Sequence, residues 1–258
     1  MLRFNEIKSF FPQPLHRYPR FMLREYLQCR ILEFIYAGNW ASSLCFMGGT
    51  ALRIVHGSRR FSEDLDFDNL GLNEEQFARI AEDIQKQFRL EGYEAELKLL
   101  MRGAWHCFIK FPGLLFDEGL SGYREEKVII RLDTEPQPCH YNPERFILNR
   151  FEVFSTILTV PLPLLLAQKC VAILSRPRKQ GRDFFDVVFL MGKGIQPDYG
   201  YLSAVAGIPD AGSLKAAILK ECDALDMHKL ADDVEPFLFD FKDTQKVIQF
   251  PEYFRQAF

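Results

Sequence analysis

Residues 44–68, LCFMGGTALRIVHGSRRFSEDLDFD, place a glycine pair and two carboxylates two positions apart in one compact run. From Asp64 onward polar and apolar residues alternate, as in a half-buried strand, so Asp64 and Asp66 share one face while Leu65 and Phe67 take the other. Two strand steps separate the carboxylates by roughly 6.5–7 Å along the backbone. That spacing suits one or two Mg²⁺ (or Mn²⁺) ions, which would neutralise a triphosphate and stabilise an in-line displacement. An isolated Asp-x-Asp is more often a polar strand edge, but here a glycine turn precedes it.

Cys45, Phe46 and Met47 read as the end of a buried strand, and Gly48-Gly49 permits a tight turn in which backbone N–H groups approach a ligand closely. Thr50 fits an N-cap and residues 51–56 a short helix closing at Gly57, which puts unpaired N–H groups at 49–52, where an anion is favoured.

Further along, Lys169 is the one charge within LPLLLAQKCVAIL, and burying it is costly unless it is paired or reaches solvent. The turn at residues 175–182 carries Arg176, Arg178, Lys179 and Arg182, a basic patch that could meet RNA. Asp183 then opens a helix over 183–191, where the helix dipole favours an acidic residue, and Arg182 can pair with it or with Asp186.

The elements that must position these groups follow from periodicity. Residues 20–36 show a helical stripe of Leu23, Leu27, Ile31, Phe34 and Ile35, with Arg20, Arg24 and Arg30 expected on a solvated face. Asn73 and Gln76 form a capping-box pattern ahead of a helix whose buried stripe is Phe77, Ile80, Ala81, Ile84 and Phe88, ending at Gly92. Strand-like runs follow at 95–101, 105–111 and 127–133, the first two joined by a turn at Arg102-Gly103, with 112–126 reading as a loop. His106 and Lys110 read as surface strand residues, and His140 as an unlikely ligand in a proline-flanked turn. In the third run, Ile129, Arg131 and Asp133 share a face opposite Val128, Ile130 and Leu132. Residues 151–160 suggest one more strand, and Pro161 and Pro163 open the apolar helix that bears Lys169. Helical patterns near Ser213, over 225–241 and near Thr244, broken at Pro251, fill the remainder.

The order Gly48-Gly49-Thr50-Ala51-Leu52-Arg53, then Arg59, then Ser62-Glu63-Asp64-Leu65-Asp66, resembles the signature of the AbiEii/AbiGii toxin group of nucleotidyltransferases, within the polymerase-β-type superfamily. Residues 169–190, with Arg182, Asp183 and Asp186 in an RD-x-x-D pattern, resemble the group's second signature. The resemblance implies an α/β fold: a mixed nucleotidyltransferase sheet over 1–155, then a mainly helical lobe over 156–258 that completes the cleft. It implies that Asp64, Asp66 and Asp133 hold metal and serve catalysis, Asp133 accepting the attacking hydroxyl's proton. It further implies phosphate contacts from Gly48, Gly49, Thr50 and Ser62, neutralisation of phosphate charge by Arg182, a nucleotide-binding role for Asp183, and a triphosphate clamp from Lys169. The activity implied is nucleotidyl transfer from an NTP to a hydroxyl, a tRNA 3′ end being one acceptor, by the toxin of a toxin–antitoxin or phage-defence pair. Transfer to a protein or small molecule, phosphotransfer, or a catalytically silent nucleotide-binding module are the alternatives.

Composition narrows the setting. With 258 residues, 48% hydrophobic and 26% charged, the chain can bury a sizeable core. Net charge is −3, so a nucleic-acid partner must be held by local basic patches rather than by overall charge. Six cysteines stand singly, with no C-x-x-C pair, which argues against a zinc site or a disulfide framework. No cleavable apolar leader or spanning stretch is read, so a cytoplasmic location and no membrane partner are expected.

Overall fold

The structure is a computed structural model that describes residues 2–257. The chain divides into two compact units: residues 1–56, 61–137 and 143–159 form one, and residues 57–60, 138–142 and 160–258 the other.

The first unit is built on a mixed seven-stranded sheet. Its strands are β1 (Leu44–Met47), β2 (Leu65–Asn69), β3 (Glu96–Met101), β4 (Trp105–Pro112), β5 (Lys127–Glu135), β6 (Glu144–Arg150) and β7 (Val153–Thr159), in the order β3-β4-β5-β2-β1-β7-β6. β2–β5 and β1–β7 are parallel and the other pairs antiparallel. Alternation decides the faces. Val128, Ile130 and Leu132 are buried together with Cys107, Ile109 and Phe111 of β4. The helix Glu74–Leu90 packs on this buried face through Phe77 against Trp105 (ring centroids 5.8 Å) and Phe88 against Phe111 (4.8 Å). Its expected capping box is present: Asn73 accepts from the Gln76 N–H and Gln76 from the Asn73 N–H, both at 2.9 Å.

Several local expectations are corrected. The helix after β1 spans Gly48–Ile54, so Thr50 lies inside it rather than capping it, and the Thr50 hydroxyl donates to the Asp64 carbonyl. Arg24 and Arg30 of the helix Pro19–Ala37 are not a solvated face. Arg24 reaches Glu63 at 2.9 Å, and Arg30, 9% exposed, pairs with Glu33 and Glu91. β6 is a strand that periodicity missed, because ERFILNR mixes charges on both faces of an edge. The loop over 112–126 holds a short helix, Leu114–Asp117.

The second unit is helical. Its helices include Leu162–Ser175, Gly181–Met191, Tyr199–Ala206, Ala211–Asp223, Met227–Val234, Gln245–Ile248 and Phe250–Ala257, the break between the last two falling just ahead of Pro251 as expected. A Cβ at Gly181 would lie 1.7 Å from the Leu230 carbonyl oxygen, so only glycine lets Gly181–Met191 approach Met227–Val234 this closely. Among the described residues no single helix is long and apolar enough to cross a membrane.

Candidate active site

Sheet register gathers the carboxylates. Asp66 on β2 pairs directly with Asp133 on the parallel strand β5, and Asp133 in turn faces His106 on antiparallel β4. Neighbouring strands lie about 4.8 Å apart, so two carboxylates that are distant in sequence become immediate neighbours. Asp64 stands just ahead of β2 and joins them on the same side.

Asp66 is also seated by β1, whose Met47 it faces. Gly48 has φ +77°, and a Cβ there would fall 2.2 Å from Asp66 Oδ2. Both the backbone conformation and the close approach therefore require glycine, which fixes the turn against the carboxylate.

Three adjacent carboxylates repel one another, and two neighbours offset this. The Arg131 guanidinium lies between two of them, Nη2 2.8 Å from Asp64 Oδ2 and Nε 2.9 Å from Asp133 Oδ2. His106 Nδ1 lies 2.7 Å from Asp133 Oδ1. An ionised carboxylate can only accept, so Nδ1 carries the proton and donates it. Residue parity placed Arg131 beside Asp133, but His106 had read as a mere surface residue: only the β4–β5 register brings it to the site.

The donor set suits a divalent cation. Three carboxylates supply the hard oxygens that Mg²⁺ or Mn²⁺ prefers, and the guanidinium between two of them stands in for that positive charge. Among the described residues no group of three or more His, Cys, Asp and Glu side chains is drawn together closely enough to hold an ion as it stands. Of the other acidic residues of the run, Asp68 is buried and accepts the Gln137 N–H at 2.8 Å, and Glu63 meets Arg24 at 2.9 Å. The backbone carbonyl of Ser62 accepts from Gln28 Nε2 at 3.2 Å.

In the second unit, Lys169 is not a lone charge. Its Nζ lies 2.9 Å from Asp183 Oδ1 and 2.7 Å from Asp186 Oδ2, both carboxylates being almost wholly buried. Arg60, also buried, holds Asp186 with two parallel bonds of 2.7 and 2.6 Å, and Arg176 reaches Asp183 at 2.9 Å. Burial alone would push the Lys169 ammonium down, but Asp183 and Asp186 outweigh it and hold its pKa above the ordinary value. Burial likewise works against the Asp186 carboxylate, and Arg60 and Lys169 hold its pKa below the usual range. Arg59, named in the sequence motif, is exposed, and its neighbour Arg60 makes the buried contact.

The basic turn is also largely committed. Lys179 reaches the Leu174 carbonyl at 2.9 Å and Glu221 at 3.0 Å, and Arg182 donates to Gln180 at 2.7 Å rather than to Asp183 or Asp186. Arg178, its side chain 90% exposed, reaches only Asp233, at 3.9 Å.

Comparison with known proteins agrees with this architecture. Residues 30–248 match the family model described as nucleotidyl transferase AbiEii toxin, type IV TA system. None of the curated proteins matches. Among solved structures, JHP933 from Helicobacter pylori is similar at 15% identity and a TM-score of 0.55, covering 92% of this chain and 91% of that one. A second H. pylori protein, provisionally described as a nucleotidyltransferase, is similar at 16% identity and a TM-score of 0.55, covering 92% and 93%. At these identities the likeness concerns the fold.

Proposed function

Since the chain belongs to the AbiEii family of nucleotidyltransferase toxins of type IV toxin–antitoxin systems, an enzyme family that uses an NTP and implies a cognate antitoxin, we propose that it transfers a nucleotidyl group to a hydroxyl of an RNA acceptor, such as a tRNA 3′ end. The observation that carries this reading is the register pair Asp66–Asp133, joined by Asp64 and locked against the Gly48 turn.

In this reading Asp64, Asp66 and Asp133 would hold a divalent ion. When bound, that ion neutralises the triphosphate and the charge that develops at phosphorus. Asp133 takes the proton of the attacking hydroxyl, and the His106 N–H keeps its Oδ1 in place. The Gly48-Gly49 backbone is the phosphate cradle, with Thr50 acting through its main chain because its hydroxyl is committed to Asp64. Ser62, Arg182 and Asp183 keep the nucleotide-binding roles that the family resemblance implies. Lys169 contributes as a cation already shared between Asp183 and Asp186, within a cluster whose three cations outnumber its two carboxylates. The setting that follows is cytoplasmic, where NTPs and tRNA are available, with phage defence as the biological outcome.

Incubation with α- and γ-labelled NTPs, Mg²⁺ and total RNA tests the reading. The α-label should enter RNA, and Asp66→Asn should abolish incorporation while its thermal melt matches that of the wild type. Transfer of the γ-label would show a phosphotransferase instead, and labelling of protein alone would replace the acceptor. Retained turnover in Asp66→Asn would remove the carboxylates from the chemistry.

A further inference from the structure

The sheet face that carries the carboxylates continues past them across β5, β4 and β3, and there it stays open. Leu100 and Ile129 on this face are 43% and 42% exposed. Its residues fall into rows set by strand register. Leu100, His106, Asp133 and Asp66 form the first, Lys98, Phe108 and Arg131 the next, and Glu96, Lys110 and Ile129 the one beyond.

Phe108 is the centre of this surface. It is partly exposed, with Lys98 and Arg131 beside it across the strands and His106 and Lys110 on either side along its own. From the Arg131 row to the end of β5 at Lys127, the one acidic residue on the face is Glu96; Lys127 takes it at 2.8 Å, and Lys110, its cross-strand neighbour, also attracts it without forming an ion pair. Lys98 and Lys110 form no ion pair among the described residues. A half-open aromatic ring flanked by available ammonium groups on a flat strand surface has the chemistry of a base-stacking platform with phosphate contacts beside it. The chain's net charge of −3 makes such a local patch the only kind that would serve.

Resting on the nucleotidyl-transfer reading, we propose that this face seats the single-stranded end of a polynucleotide acceptor, stacking its terminal base on Phe108 and meeting its phosphates with Lys98 and Lys110. Strand order selects the acceptor over the NTP. The Gly48 turn lies at the end of β1, the carboxylates stand on β2 and β5, and Phe108 lies beyond them on β4. In-line displacement puts the attacking oxygen opposite the leaving pyrophosphate. A triphosphate held on the β1 side must therefore be approached from the β4–β3 side. Phe108 is two residues from His106, roughly 6.5–7 Å along the strand, so a base stacked there brings its sugar hydroxyl to Asp133.

The test measures fluorescence anisotropy of a short labelled oligouridylate, and of its deoxy counterpart, without NTP, alongside ATP binding by calorimetry. Phe108→Ala should weaken oligonucleotide binding about 5- to 150-fold. Phe108→Trp should restore it, and ATP affinity should not change. Lys98→Gln with Lys110→Gln should lower the slope of log K against log salt by about 0.7 for each phosphate that is no longer neutralised. Wild-type binding in a Phe108→Ala protein of unchanged melt overturns the proposal, as do an unchanged salt slope, an equal loss of ATP affinity, or no oligonucleotide binding by the wild type. If Phe108→Ala does not fold, the surface-lysine variant decides through its slope. Preference between the RNA and DNA probes identifies the acceptor sugar. The two readings fail separately: α-label transfer to RNA undiminished in Phe108→Ala removes the platform and spares the enzyme reading. Oligonucleotide binding through Phe108 without any transfer does the reverse.

Discussion

Replacing Lys169 by methionine separates two accounts of a buried charge. Were the lysine unpartnered, methionine would remove a desolvation penalty and leave stability unchanged or improved. The structure reverses that sign. Two buried carboxylates, Asp183 and Asp186, share this ammonium at 2.9 and 2.7 Å. Removing one partner of a buried pair costs about 3–5 kcal/mol when the other is left unpaired. Here Asp186 keeps both bonds to Arg60 and Asp183 keeps Arg176, so the lower end, about 3 kcal/mol, is expected. For a chain of this size that corresponds to a fall in Tm of about 6–12 °C.

The pH dependence follows from the directions of the two shifts. Lys169 has its pKa raised in the folded state, so its contribution is fully present below the ordinary lysine value near ~10.4 and is lost as pH rises through the folded value above it. Asp186 has its pKa lowered, so its contribution is present above the ordinary value near ~3.9 and is lost as pH falls through the folded value. The Lys169→Met deficit, read from urea melts, should therefore be flat between roughly pH 5 and 9, shrinking in strong alkali as Lys169 loses its proton and in strong acid as Asp186 gains one. A variant that melts with the wild type or above it would refute the buried-pair account, as would a deficit that vanishes near neutrality.

Other outcomes follow from single contacts. Gly48→Ala should lose activity and stability together, by more than about 1 kcal/mol, because its Cβ would meet Asp66 Oδ2 and the residue holds φ +77°; activity and melts at wild-type level would contradict this. Gly181→Ala should destabilise by at least about 1–3 kcal/mol in urea melts, since backbone must move away from the Leu230 carbonyl. His106→Phe should lower kcat more than KM and alter the pH profile of turnover, because Asp133 loses the donor that orients it; an unchanged profile would return His106 to the surface role its sequence suggests.

Much of this protein was legible in one dimension because the properties concerned are local. A two-residue period places Asp64 and Asp66 on one face, and a glycine pair after a buried strand marks a turn that must pass close to something. Asn73 and Gln76 cap a helix by reaching only three residues along the chain. The neighbours across the sheet were not legible, since register couples residues with no fixed separation in sequence. Asp133 reached the site on resemblance alone, until β2–β5 pairing put it beside Asp66. His106 and Arg131 acquire their meaning from the same register, and Phe108 its cationic surround. Lys169 shows the other limit. An isolated lysine in an apolar helix states that an anion is needed, but its partners Asp183 and Asp186 sit on the next helix, and Arg60, which shares Asp186 with it, sits on a segment far upstream. Tertiary packing alone decides whether a buried charge meets its counter-charge in the protein, because desolvation sets the need for a partner without naming it.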